Sequence, residues 1–424
     1  MNISGGYDVV VVGGGSAGVS AAVGAAQAGG RVLLVEAAGC LGGASTMRNV
    51  LTYCGIYTLQ EQPRVAVRGV AETVIGALQA MGAITPPQRH RGVFMIFDPE
   101  AVKLVLDRIC RDAGVDVLLH ALMTGAERDG GCIRRIRIAD HSGEHWVDAK
   151  TFIDASGDCD LAAFAGASTR YGNAGAVNLG TLGTRFSGVA ANADISAASV
   201  HGAICRALSD DSRNLARKLT KDQSVIARLP LSGDIVAYLA SADYDPRDAV
   251  SLSKAEASGR EQAWQYLEVL RSLPGWERAF LASTGPDFGT RESRHINSIG
   301  QLKWADVMAG RRAEDSIAVG TWGVEWHDRE TFASSFEMPP ADGAYDIPLT
   351  CLMSVDTPNL FAAGRTTDGD RQAGASVRVM GTAFATGQAA GVAAAHLAHH
   401  GVVDAQAVRT QLRVQGAIVA ASDL

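Results

Sequence analysis

Cysteine is scarce in this chain, with seven among 424 residues. The number is odd, no C-x-x-C occurs, and no Cys/His pairing has zinc-ligand spacing, which excludes a disulfide scaffold and predicts no metal site. A reducing, cytoplasmic setting is expected. Aromatics make up only 6% and charged residues 20% of the chain, which excludes coiled coils and charged disordered tails. Long apolar runs are missing too: the N-terminal stretch lacks a basic leader and is interrupted by Gly13, Gly14 and Gly15, so it reads as neither signal peptide nor membrane span. An excess of positive charge is also absent. The formal charge of -7 speaks against a nucleic-acid partner or an anionic membrane surface, so no nucleic acid and no integral membrane segment are expected. Solenoid repeats and low-complexity linkers are likewise lacking.

What the chain has is apolar bulk, 47% of its residues, and 48 glycines, a balance suited to a large core with tight turns and close helix–sheet packing. Its length predicts roughly two to three domains. Tyr7 to Val12 is a continuous β-branched run, the pattern of a parallel strand covered on both faces. The small-residue run from Ser16 to Gly29 reads as a helix and Arg31 to Glu36 as the next strand, which makes a right-handed βαβ unit. A helix with an acidic first turn is expected from Asp98 to Gly114, followed by a strand at 115–120 and a β-meander over 121–128, 132–139 and 145–153. Residues from about 170 to 344 lose this alternation and hold five of the six tryptophans. That stretch reads as a separate cap, after which a strand at 359–363 and a nearly uncharged helix over 376–398 return to the first domain.

Gly13, Gly15 and Gly18 give G-x-G-x-x-G between strand and helix, with Glu36 closing the second strand. The first glycine permits the turn, the second lets backbone N–H groups reach a pyrophosphate, and the third lets helix and strand touch; the acid suits ribose hydroxyls. Ser16, Ala17 and Ala37 complete this dinucleotide site. NAD and FAD share the signature. The extension Gly42-Gly43-Ala44-Ser45-Thr46 exceeds what a simple NAD domain needs and favours a flavin, whose ribityl chain requires close backbone approach. Ala155-Ser156-Gly157 after one strand and Gly364-Arg365 after another would meet the fingerprint at the switch point of the sheet.

Taken in order, VVVVGGGSAG, GCLGGAST, FDPEAVKLVLDR, FIDASGDCDLAAFAGA, GTRESRH, NLFAAGR and SVRVMGTAFATGQAAG resemble the bacterial FAD-dependent oxidoreductases that are distantly related to succinate dehydrogenase and fumarate reductase flavoproteins. The resemblance spans nearly the whole chain. It implies an α/β fold: a discontinuous Rossmann-like FAD-binding domain with a β-meander, formed by residues 1–169 and 345–424, and an inserted α+β substrate cap at 170–344. It also implies noncovalent FAD, with Ser376 and the helix start at Met380, Gly381 and Thr382 beside the flavin, where the positive helix end favours the reduced anion. Gly381 stands where many members carry Pro. The implied function is hydride transfer between a small organic substrate and flavin N5. Arg294, His295 and Arg378 are the candidates for positioning and proton transfer. The stretch Gly374-Ala375-Ser376-Val377-Arg378 is one residue longer than the G-A-x-R of the succinate dehydrogenase group, so Arg378 also reads as a salt-bridged helix-start arginine.

Three readings remain open at this level. They are direct oxidation or reduction of a substrate, a reductase or hydroxylase served by external NAD(P)H, and a non-catalytic flavin electron relay. The absence of a second G-x-G-x-x-G argues against a built-in NAD(P)H domain, so electrons come directly from a substrate or from an external donor, or leave to oxygen or another external acceptor. Cys40 and Cys54 flank the flavin loop and read as small buried hydrophobes. His396, His399 and His400 read as partners of a helix C-terminus. Denaturation should therefore release FAD quantitatively from both the wild type and Cys40→Ser, as read by mass spectrometry of the soluble fraction; flavin left on precipitated protein would contradict noncovalent binding.

Overall fold

The computed structural model describes residues 6–210, 219–339 and 343–424. Strand β1 (Tyr7–Val12) leads into helix α1 (Ser16–Gln27) and strand β2 (Val32–Val35), as the apolar run and small-residue helix predict. Helix α2 (Pro99–Asp112) starts on a proline, which suits a first helical turn, and β3 (Asp116–Leu118) follows it. The meander is β4 (Leu122–Asp129), β5 (Cys132–Asp140) and β6 (Gly143–Asp154).

β6 does two jobs. Residues 143–148 pair antiparallel with β5, whereas residues 149–154 run parallel beside β1. β2 and β3 extend the parallel side. On the far side of β6 lies β13 (Leu360–Ala362), joined parallel to residues 152–154. The two ends of the chain therefore share one sheet, and the carboxyl ends of β1, β2, β6 and β13 open toward the same edge.

A second assembly forms between Leu182 and Phe288. Strands β7 (Thr184–Ser187), β8 (Ile226–Arg228), β9 (Ile235–Ala237) and β10 (Phe280–Thr284) make an antiparallel sheet in the order β8-β9-β7-β10, covered by α3 (Ala197–Ser209) and α4 (Ala249–Leu270). It has its own apolar core around Phe186, Tyr266, Leu267 and Trp276. Trp304, Val307, Ile317 and Val324 belong instead to the principal core with β1, β2 and α1. The later part of the 170–344 stretch thus shares the principal core, through Val324 of a hairpin formed by strands β11 (Val324–His327) and β12 (Ser334–Glu337).

The long helix expected over 376–398 is two. A short helix covers Arg371–Val377, the chain turns at Arg378–Val379, and α5 runs from Met380 to His400. α5 lies parallel to α1 and very close to it. A Cβ on Gly387 would sit 2.2 Å from the Ala17 carbonyl oxygen, and one on Gly391 2.0 Å from that of Ala21. Ser20 Oγ reaches across to the Phe384 carbonyl at 2.6 Å. Gly387→Val should force these helices apart, costing about 1–3 kcal/mol or more as overpacking and loosening the cofactor cradle. Chemical denaturation and flavin content measure the two effects, and unchanged values of both would show that the crossing tolerates side chains.

Candidate functional site

The first turn of α1 faces the sheet edge with no side-chain cap and no acidic residue. Gly13 has φ +100, and a Cβ on Gly18 would lie 1.7 Å from the Gly13 carbonyl oxygen, so turn and helix touch through backbone alone. A Cβ on Gly15 would meet nothing nearer than Gly43 Cα at 4.0 Å. The space above this N-terminus is open. Ser16 and Ala17 form the turn itself. At the end of β2 the Glu36 carboxylate accepts from Gly14 N–H at 2.6 Å and Ala38 N–H at 2.8 Å, so Ala37 is held at the same rim.

The Gly42-to-Thr46 loop closes over this turn. Gly42 donates to the Gly14 carbonyl at 2.8 Å, and Gly43 and Ala44 begin a short 3-10 turn that also contains Ser45. Ser45 Oγ donates to the Gly42 carbonyl at 2.9 Å and Thr46 Oγ1 to that of Leu41 at 2.8 Å, so both hydroxyls brace the loop. From β6, Ala155 N–H bonds to the Val12 carbonyl and Ser156 Oγ to Asp154 at 2.7 Å, leaving Gly157 beneath the Arg365 guanidinium. Gly364 packs its backbone on Ala17, and Arg365 pairs with Asp158 at 2.9 Å.

α5 also begins without a side-chain cap or an acidic residue. Gly381 lies against the Cys54–Gly55 backbone, where a Cβ would come within 2.5 Å of the Cys54 carbonyl oxygen. Any side chain there, the Pro ring of the resembled family included, would need that strand to shift. Met380 and Thr382 flank it, and the buried Thr382 hydroxyl has no partner among the described residues. Ser376 sits apart from this turn, with its Oγ bonded to the Trp322 carbonyl and to Tyr345 Oη at 2.7 Å.

The three residues expected to act on substrate are separated by the fold. Arg294 bonds to Asp160 at 3.0 Å and to the Asp158 carbonyl at 3.2 Å. His295 is buried, with Nδ1 3.1 Å from the Thr367 carbonyl and Nε2 3.2 Å from Glu292 Oε1, so both ring nitrogens are engaged. Burial alone would raise the Glu292 carboxyl, but hydrogen bonds from His295 and Asn178 more than offset it and hold it below its ordinary value. Arg378 donates to the Glu325 carbonyl at 2.9 Å, while its Nε is buried without a partner among the described residues.

Arg378 belongs to a cluster that spacing did not reveal. Burial would raise the Glu325 carboxyl, yet the His327 hydrogen bond and the charges of His327, Arg378 and Arg291 hold it far below its usual range. Burial and the Arg291 charge push His327 down to about 3. Burial and Arg378 bring Arg291 down to about 10, and burial with Arg291 lowers Lys221 to about 7. Arg48, just past the flavin loop, donates to Thr290 Oγ1 at 2.8 Å and is pushed down by burial and by Arg365. Glu325 is enclosed in this way yet keeps 31% of its side chain accessible, and Arg48, Arg291, Arg378 and Lys221 are also partly accessible. Arg291, Arg378 and Lys221 form a partly accessible charged cluster around Glu325. Its cations outnumber its carboxylates. The RESR run was the only sequence signal toward Arg291; Glu325, His327 and Lys221 lie in stretches with no motif.

The flanking cysteines and the terminal histidines carry no comparable arrangement. Burial pushes the Cys54 thiol up to about 12, which keeps it protonated and unreactive. His399 lies 3.8 Å from Asp8, and His396 bonds to the Val402 carbonyl past the end of α5. Among the described residues no helix is long and apolar enough to cross a membrane.

The sequence profile described as FAD dependent oxidoreductase matches residues 8–415. No curated protein matches the chain. Among solved structures it is similar to BexE, studied for oxidation during BE-7585A biosynthesis, at 14% identity and a TM-score of 0.52 over 97% of this chain and 66% of that one. It is also similar to CabE, an aromatic hydroxylase from angucycline biosynthesis, at 12% identity and a TM-score of 0.50 over 97% and 66% of the two chains. A third similarity is to p-nitrophenol 4-monooxygenase PnpA from Pseudomonas putida DLL-E4, at 12% identity and a TM-score of 0.45 over 96% and 84%. The chain thus spans slightly under two thirds of the length of BexE and CabE. At these identities the first two likenesses concern the fold.

FAD fits the residues present. Two uncapped helix starts, the open space over Gly15 and the unpartnered Thr382 hydroxyl are groups that a dinucleotide can satisfy. The charged cluster itself leaves a pH signature. Because folding lowers Lys221 from its ordinary 10.5 to about 7, the unfolded chain binds more protons between these values, and this residue makes stability rise with pH across that window. Lys221→Met should remove that rise. Denaturant titrations of both proteins at several pH values measure it, and parallel stability curves would place the ammonium in water.

Proposed function

This chain belongs to the FAD dependent oxidoreductase family, and we propose that it moves a hydride between a small organic substrate and flavin N5, with the substrate held at the cationic cluster. The observation that carries this reading is that Arg291 and Arg378 act on one enclosed but accessible carboxylate, Glu325, beside the start of α5. Bound FAD supplies the two-electron redox centre. The residues named along the α1 turn, Glu36, the Gly42–Thr46 loop, the Ala155–Gly157 and Gly364–Arg365 turns and the Met380–Thr382 start would hold it.

The chain's own contribution is orientation and charge. Arg378 presents a planar fork, and its unpartnered Nε has a donor to give to a carboxylate or a flavin carbonyl. Arg291 is fixed by bonds to the Leu179 carbonyl and Thr181 Oγ1, so its charge is positioned before substrate arrives. Glu325 offsets part of that charge. His295, held on both nitrogens, and Arg294, held by Asp160, fix the short strand Arg294–Ile296 that follows Arg291 in the chain. A proton-transfer role for His295 needs one of its two contacts to release.

In this reading the 170–344 segment is the substrate cap, inserted in an FAD domain made from 1–169 and 345–424. The assembly around Phe186 and Trp276 would form its outer body, and the part from Trp304 onward would lie against the cofactor side. A distant relation to the succinate dehydrogenase flavoproteins, a separate electron donor or acceptor and a cytoplasmic setting belong to the same proposal.

Arg378→Lys tests it. Lysine keeps the charge and loses the fork, so turnover should fall about ten- to hundredfold, the worth of one charge-assisted hydrogen bond of roughly 1.5–3 kcal/mol, with flavin content unchanged. Anaerobic photoreduction followed by a screen of organic acceptors supplies the assay. Reoxidation by no acceptor would favour an electron relay, rapid dark reduction by NAD(P)H alone would favour the external-donor reading, and wild-type rates in the variant would return Arg378 to a structural role.

A further inference from the structure

We infer that His201, Cys205 and Asp222 form a binding site for a divalent transition-metal cation of the zinc class. The sequence shows no zinc pattern because only two of these residues are near one another in the chain. His201 and Cys205 are four residues apart on α3, which puts both on one face of the helix, and the return of the chain brings Asp222 to the same place. One ligand atom from each of the three lies within 4.8 Å of the others.

The separations suit a common ion. His201 Nδ1 is 3.7 Å from Cys205 Sγ and 3.5 Å from Asp222 Oδ2. With zinc bonds of about 2.3 Å to sulfur and about 2.0–2.1 Å to nitrogen or oxygen, a tetrahedral centre needs an S···N edge of about 3.5 Å and an N···O edge of about 3.3 Å. Closing each by roughly 0.2 Å takes only a small rotation of accessible side chains. The Asp222 carbonyl oxygen, 3.1 Å from the same Nδ1, or a water stands ready as the fourth donor. The donor set of one thiolate, one imidazole and one carboxylate is of borderline softness, which favours Zn²⁺ over Mg²⁺ or Ca²⁺. No electrons move: the thiol S–H bond breaks, the metal–sulfur bond forms, and the proton passes to solvent.

A cation here would tie α3 to the segment that carries Lys221, whose backbone is already held on both sides by Tyr266 Oη. It would therefore brace the segment leading into the charged cluster without touching the FAD cradle.

The test uses the FAD-loaded full-length protein and Zn²⁺ in isothermal titration calorimetry near neutral pH. We expect one equivalent to bind with a dissociation constant on the order of 1 μM, weakened at least tenfold by His201→Ala, Cys205→Ser or Asp222→Asn and unaffected by His396→Ala. The wild type alone gives a second readout: Zn²⁺ should slow alkylation of Cys205 by iodoacetamide, mapped by mass spectrometry, and release about one proton per ion as buffers of different ionisation enthalpy report. No saturable binding up to about 1 mM, affinity unchanged in the three variants, loss of binding in His396→Ala, or an unprotected Cys205 would each overturn the assignment.

Discussion

The contact on which the site depends is the backbone-to-backbone packing of α1 against α5. Two helices aligned in parallel at this distance set their positive ends side by side, an unfavourable arrangement for the dipoles alone. Small residues make it geometrically possible, since Gly387 and Gly391 lie where any Cβ would strike the Ala17 and Ala21 carbonyls. An anionic, hydrogen-bond-accepting ligand across both helix starts turns the arrangement favourable. A dinucleotide held there, as proposed, would complete this part of the fold.

The same geometry explains why segments far apart in the chain must meet. β6 serves the meander with one half and the parallel sheet with the other, so its end at Asp154 is fixed by both neighbours. Asp154 in turn bonds Ser156 and the Ala162 N–H, which shapes the turn under Arg365. Arg365 reaches the Thr290 carbonyl at 3.2 Å and so links the cradle to the segment that carries Arg291, Glu292 and His295. A rigid scaffold thus sets the charged cluster by a few charge-assisted bonds, and Glu325 balances a concentration of arginines that would otherwise repel one another.

Much of the cradle could be read directly, because its constraints are local. A β-branched run followed by spaced glycines and an acid has few structural solutions, and β1, α1, β2 and Glu36 are where those residues predict them. The meander was legible for the same reason, through period-two alternation punctuated by Gly-rich turns. The break at Arg378–Val379 was legible only through the resemblance, which puts the helix start at Met380, since the apolar pattern alone runs on from 376 without marking a pause. Nor did tryptophan content separate the layers: Trp276 lies in the core of the second assembly and Trp304 in the principal core.

What the sequence determined by itself is therefore the glycine turn between β1 and α1, the parallel strands and the family, all of which rest on residues adjacent or regularly spaced along the chain. What only the tertiary structure decided is the chemistry of the charged cluster. Lys221, Arg291 and the β11 pair Glu325 and His327 come from three separate segments, and each of the four is shifted by burial and by charges it meets only after folding. Spacing along a chain carries no record of that field. It likewise held no sign that Ser376 would bond to Trp322 and Tyr345, or that His295 would have both nitrogens taken, because those partners arrive from across the fold.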